Sequence, residues 1–298
     1  MKYIFITVAV GHLTLSVAYG YEVITPHFRF TSDSGSKGTM EKVMAIAERK
    51  RQEIFGFLGI QSEERIEVEI VSDLKSEEMQ RRSEWVAGYA IPHQKKIVLF
   101  AYGDEVFRAT DIFTHELAHI AVHIAAGGKS LPRWFSEGLA MFFADEGLIS
   151  RLETLMRAQA FGGLIRLNEL DDAFLTPPPR VHLAYAEAMF FVRFLSKELG
   201  SQGLKQVLSL VREGKPFAMA LLEVTRTPLD ELFARFSKSL DRKKAVLWVV
   251  LGSPFLWAFI TFLFIVALLV KWRRSKLKKR AWEIQEEIER LQNKRYFS

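Results

Sequence analysis

The 298-residue chain contains no cysteine. Disulfides, thiol nucleophiles and thiolate metal ligands are therefore excluded, and a zinc site would have to use His, Glu or Asp. Internal repeats are also lacking. So is a charge excess over most of the length. The formal net charge is +6, but residues 271–298 hold ten Lys or Arg against four Glu, which leaves 1–270 with 31 charges of each sign. The positive balance belongs to the tail, and a nucleic-acid partner loses its main support. The hydrophobic fraction of 49% and charged fraction of 26% describe a globular protein with added apolar segments and exclude general disorder.

Two of those segments lie near the ends. Lys2 is followed by an apolar run from Tyr3 to Ala18, with Ala18-Tyr19-Gly20 as a small-x-small cleavage site. Residues 1–20 read as a signal peptide, with an uncleaved anchor as the alternative; both export the downstream residues. Ala245–Val270 is a run of 26 residues without a charge, the expectation for one transmembrane helix. Tilt, or a bend near Ser253-Pro254, would absorb its excess length over the bilayer core. Seven Lys or Arg between Lys271 and Arg280 place that end in the cytoplasm by the positive-inside rule. The expected location is thus the cell membrane in a single pass, with residues 21–240 extracytoplasmic and the tail 271–298 cytoplasmic. The tail keeps a four-three apolar spacing through Leu277, Ala281, Ile284, Ile288 and Leu291. That pattern suits self-association as a short coiled coil, a basic face on anionic lipid, or a solvated amphipathic helix.

The stretch Thr110–Gly128 carries His115, Glu116 and His119 in the order His-Glu-x-x-His. On an α-helix a spacing of four is about one turn, so both imidazoles leave one face and can hold one ion. Glu116 lies one step round, where a carboxylate can take a proton from a zinc-activated water. Thr110 and Asp111 read as the helix cap and Gly127-Gly128 as its end. His123 continues the row, but three such residues span about 12 Å along the axis, too far for one ion. It reads as a packing or supporting residue. A second helix begins at Leu131-Pro132-Arg133-Trp134-Phe135-Ser136-Glu137, and Glu137 stands in an otherwise apolar run. A lone buried carboxylate is costly unless paired or coordinated, which makes Glu137 the natural third ligand.

His115-Glu116-Leu117-Ala118-His119 followed by Trp134-Phe135-Ser136-Glu137-Gly138-Leu139-Ala140 resembles the gluzincin clan of zinc metallopeptidases, in particular the peptidase MA-like domain family. The likeness runs from about His27 to Leu240. It implies a small sheet, the metal helix, a glutamate helix and a helical C-terminal half. It also implies Zn2+ on His115, His119 and Glu137, with Glu116 as general base. Some gluzincins carry an acidic residue one turn after the glutamate ligand, bonded to a metal-binding His; this chain has Met141 there.

The remaining elements are read from periodicity. Strand-like alternation begins at His27-Phe28-Arg29-Phe30-Thr31 and recurs at Ile66–Val71, and helical spacing runs from Thr39 to Leu58. Ser76–Arg82 reads as a short polar helix, and Val86–Ala90 with Ile97–Phe100 reads as a hairpin about Pro92. Gly88 and Tyr89 are candidates for an edge strand that takes an extended peptide, a purely structural hairpin being the alternative. Leu164–Phe174, before Pro177-Pro178-Pro179, reads as a loop beside the cleft, with Asp171 and Asp172 as solvated turn residues. Tyr185 opens a helix, either to donate to an oxyanion or to pack as a core aromatic. Helices at Leu204–Arg212, Phe217–Val224 and Leu229–Leu240 complete that half.

The expectation is an α+β fold with a small mixed sheet, the His-Glu-x-x-His metal helix and a helical C-terminal half, followed by one transmembrane helix. The function expected is a membrane-anchored zinc metallopeptidase acting on peptide or protein substrates near the membrane surface. The alternatives are a catalytically inactive peptidase-like binding or assembly module on the membrane, and a signalling protein acting through its basic tail.

Overall fold

The computed structural model describes residues 20–72, 87–101, 105–145, 147–251 and 254–296. The expected signal segment and the expected helix at Ser76–Arg82 lie outside these. Among the described residues helices dominate, with one mixed sheet of five strands. The strands are β1 (Tyr21–Ile24), β2 (Phe28–Ser32), β3 (Ile66–Val71), β4 (Gly88–Ile91) and β5 (Lys96–Phe100), in the order β1-β2-β3-β5-β4. β2, β3 and β5 are parallel, and the outer strands β1 and β4 pair antiparallel to their neighbours.

Alternation decides which face is buried. Phe28, Phe30, Ile66, Val68, Ile70, Ile97 and Leu99 lie inward with 0–1% exposure. On the other face, Arg29 and Lys96 pair with Glu22 and Glu69 at 2.6 and 2.7 Å. That second face is solvated over β1–β3, but at β5 Val98 and Phe100 on it are buried too, at 5 and 4% exposure. The cover of the inward face is α1 (Lys37–Leu58), the crossover between β2 and β3, together with α2 (Glu105–Ala125). Asp33 fixes the β2–α1 turn. Its Oδ1 accepts from the Ser36 amide at 2.9 Å and the Ser72 hydroxyl at 2.8 Å, and its Oδ2 accepts from the Ser72 amide at 2.6 Å. Burial alone would raise the Asp33 pKa, but the Ser36 hydroxyl, which donates to Oδ1 at 2.6 Å, and these bonds outweigh it and hold the carboxyl below its ordinary value.

Helix α2 starts at Glu105, five residues before the expected Thr110-Asp111 cap. Thr110 is interior, since the Thr114 hydroxyl donates to its carbonyl at 2.7 Å. Beyond α2 come α3 (Arg133–Ala144), α4 (Leu148–Arg157), α5 (Leu167–Ala173), α6 (Arg180–Arg212, broken at Gly200), α7 (Phe217–Thr225) and α8 (Leu229–Ser239). The expected loop at Leu164–Phe174 is thus mainly the helix α5. Asp171 is not a solvated turn residue: its Oδ1 accepts the Trp134 amide at 2.8 Å and caps α3, where Pro132 leaves no side-chain acceptor. Trp134, Phe135, Phe191, Phe217 and Phe236 interlock with ring centroids 4.6–5.8 Å apart and hold α3, α6, α7 and α8 together.

The described residues up to Leu155 together with 164–239 form one compact unit, and 156–163 with the described residues from Leu240 onward form another. The second contains a π-turn at Ala158–Gly162, the helix α9 (Arg242–Leu251) and the long helix α10 (Pro254–Tyr296). α10 starts at proline, whose missing N–H and fixed φ suit the first position of a helix. The apolar run expected as a single helix is therefore shared between α9 and α10. Among the described residues one helix is long and apolar enough to cross a membrane, at Leu256–Lys276, with none of that window buried.

Candidate metal centre

Helix α2 turns its apolar side to the sheet. Phe113 and Leu117 are fully buried, and the Phe113 ring lies 5.7 Å from that of Phe28. This leaves His115 and His119, one turn apart, facing α3. The two Nε2 atoms are 3.2 Å apart, and Glu137 Oε2 on α3 lies 3.6 Å from His115 Nε2 and 3.8 Å from His119 Nε2. These three are the described residues able to hold a metal ion, with ligand atoms within 4.8 Å of one another. A tetrahedral ion with ligand bonds near 2.0–2.2 Å has ligand–ligand edges of about 3.3–3.6 Å. Edges of 3.2, 3.6 and 3.8 Å therefore fit such an ion with small adjustment, and the donor set of two imidazoles and one carboxylate suits zinc. His123 is outside the group.

The electrostatics agree with a ligand role. Burial, then the proximity of His115, pushes His119 down to about 4, so its imidazole is neutral at ordinary pH. Burial would raise Glu137, but His115, His119 and Arg133 together hold it below its usual value as a carboxylate.

A cleft of about 460 Å³ opens over this group. It is bordered on one side by Gly88, Tyr89 and Ala90 of β4, one of the two outer strands of the described sheet. A side chain at position 88 would meet Ile112 Cγ2 at 2.9 Å and the Val98 carbonyl at 3.0 Å, so glycine lets β4 lie tight against α2. Glu116 and Tyr185 line the same cleft. The Tyr185 ring packs edge-on to Phe174 at 4.9 Å, with the Arg151 guanidinium 5.2 Å from its centroid. Every residue expected in the site thus borders one cavity. His123 borders it too, and burial followed by the nearby His93 lowers its pKa.

Ser136, Glu187 and Asp171 carry roles that the sequence alone does not assign. Ser136 Oγ lies 3.1 Å from His119 Nδ1, where it can fix the ring so that Nε2 faces Glu137. Met141, one turn after Glu137, is 1% exposed, so this position supplies no acidic partner to a histidine. Glu187 on α6 is fully buried, and its Oε1 accepts the Ile165 amide at 2.8 Å. The rule that singled out Glu137, a lone carboxylate in an apolar run, applies equally to Glu187. Asp171, the third, carried no signal beyond a capping-type side chain far away in sequence.

Residues 56–240, more than half of the chain, match the sequence profile of the peptidase MA superfamily. No curated protein matches the chain.

Proposed function

The chain belongs to the peptidase MA superfamily, and on that basis we infer that this peptidase-like protein is a membrane-anchored, gluzincin-type zinc metallopeptidase. The observation that carries the reading is the closure of His115, His119 and Glu137 to within 4.8 Å, with Glu116 bordering the same cleft. His115, His119 and Glu137 would hold the ion, which when bound supplies Lewis acidity toward a peptide carbonyl. Glu116 accepts a proton from the attacking water and returns it to the departing amine. Tyr185 lines the same cleft, and its phenol would donate to the oxyanion as the carbonyl becomes tetrahedral. β4 offers backbone groups for an extended substrate to pair with as a further strand. The helix at Leu256–Lys276 supports anchoring. The basic run after it supports an extracytoplasmic peptidase domain and a cytoplasmic tail. Substrates on this reading are peptides or proteins near the bilayer.

The test is metal analysis and peptide hydrolysis with purified full-length protein and its Glu116→Gln variant. About one zinc per chain is expected in both, with hydrolysis lost in the variant because an amide does not accept the proton. Absence of zinc from the wild type would remove the metallopeptidase reading. Equal hydrolysis by the two proteins would remove Glu116 as base, and a zinc-loaded wild type cleaving nothing in cells or in vitro would favour the binding module.

A further inference from the structure

The π-turn Ala158–Gly162 is bonded to the chain where it leaves the last amphipathic helix for the apolar run. Gln159 Nε2 donates to the Leu240 carbonyl at 2.7 Å, and Arg242 Nε donates to the Ala160 carbonyl at 3.3 Å. At the end of this turn Phe161 is 72% exposed. Asp241 caps α9 through the amides of Lys243 and Lys244, so Arg242, Lys243 and Lys244 stand together in its exposed first turn. From Ala245 onward α9 has no charge, and Val246, one turn from Arg242, is 37% exposed.

A bilayer explains why these features occur together. The uncharged run of 26 residues would extend roughly 39 Å as a helix, against a hydrocarbon core of about 30 Å. The helix that meets the length and apolarity needed to cross begins only at Leu256, so the apolar part of α9 falls in the interfacial layer. Whatever is bonded to the start of α9 is carried to the same depth. An exposed phenylalanine on a turn bonded to a helix start that carries three cations is the composition of an interfacial anchor. We propose that the Ala158–Gly162 turn is a second membrane contact, in which Phe161 enters the interface of an anionic phospholipid bilayer while Arg242, Lys243 and Lys244 meet lipid phosphates. The proposal rests on the membrane-anchored reading above. It adds a contact by a segment more than eighty residues before the crossing helix.

Because the chain has no cysteine, single labels are clean. Phe161→Cys and Leu263→Cys, each carrying an environment-sensitive fluorophore, would be placed in full-length protein in nanodiscs of phosphatidylcholine with or without phosphatidylglycerol. Leu263 is within the crossing window and 49% exposed, and it reports whether the helix is inserted. The label at 161 should be quenched by lipid nitroxides near the headgroup, shielded from aqueous iodide, and roughly twofold more quenched by the nitroxides when anionic lipid is present. Lys243→Gln with Lys244→Gln should remove the anionic increment. A label at 161 open to iodide while that at 263 is in lipid overturns this proposal and leaves the anchor standing. Shielding from iodide without nitroxide quenching assigns the surface to protein and likewise overturns it. Equal quenching with and without phosphatidylglycerol overturns the anionic assignment, and a label at 263 open to iodide removes the anchor and this contact together.

Discussion

Replacing Glu187 by Gln tests the electrostatics behind the cleft independently of any metal. Glu187 is fully buried on α6, two residues after Tyr185. Burial pushes its pKa up to about 8, against smaller opposing contributions from the Ile165 amide and the Arg180 charge. The folded state therefore keeps a proton that the unfolded chain, with an ordinary value of 4.5, has released. With more protons bound in the native state, stability falls as pH rises from about 4.5 to about 8 and is level above that. The whole gap corresponds to about 5 kcal/mol at most, and the part lost between about pH 6 and pH 9 is about 2–3 kcal/mol. For a domain of this size that loss lowers Tm by on the order of 5–10 °C. In Glu187→Gln the amide oxygen can still accept from Ile165, but nothing titrates. Thermal unfolding of both proteins, followed by intrinsic Trp fluorescence at several pH values, should show the wild type losing stability relative to the variant as pH rises. Ionisations elsewhere, including those of the histidines, cancel in the difference. Parallel curves would mean that Glu187 does not carry the proton, and the reasoning from its burial would be wrong.

Ser136→Ala should weaken zinc binding about tenfold or more, measured by chelator competition, because His119 Nδ1 loses its 3.1 Å partner. Ser136→Thr, which keeps the hydroxyl, should recover most of it, and an alanine variant with wild-type affinity would show that Ser136 does not orient the ring. Gly138→Ala should cost about 1–3 kcal/mol by overpacking. Its new methyl would lie 2.5 Å from the Ala188 carbonyl and 2.6 Å from Val192 Cγ2. A Tm unchanged within about a degree would show that the contact between α3 and α6 relaxes freely.

Periodicity located the elements whose burial is one-sided. Ile66–Val71 is a strand at the expected residues, since alternate side chains there meet either the core or water. The helix expected at Thr39–Leu58 differs by two residues at its start. Elements settled by tertiary partners were less visible. β1 is four residues with Ile24 58% exposed, so its sequence carries little alternation in hydrophobicity, and it exists through pairing with β2. Helix α5 is seven residues long, too short to stand on its own propensity. It is tied down by Asp171 at the start of α3. Glu187, through the Ile165 amide, fixes the segment just before it. Both partners are distant in sequence, and no local pattern contains them.

The candidate site divides along the same line. His115, Glu116 and His119 share a helix, so their relation comes from 3.6 residues per turn and is readable at once. Glu137 is recognisable as a residue type out of place, but its distance from the imidazoles is set by how α3 lies against α2. That placement depends on the other side of α3, where Gly138 brings the helix backbone against the Ala188 carbonyl of α6. Gly138 comes directly after Glu137, so a side chain at 138 would push the turn that carries Glu137 away from α6 and alter its 3.6 and 3.8 Å distances to the histidines. In Gly138→Ala, zinc affinity should therefore fall together with Tm. Chelator competition at a temperature well below unfolding separates the two effects. Lost stability with unchanged affinity would mean that α3 yields at some other point and that the glutamate's position is not fixed through glycine.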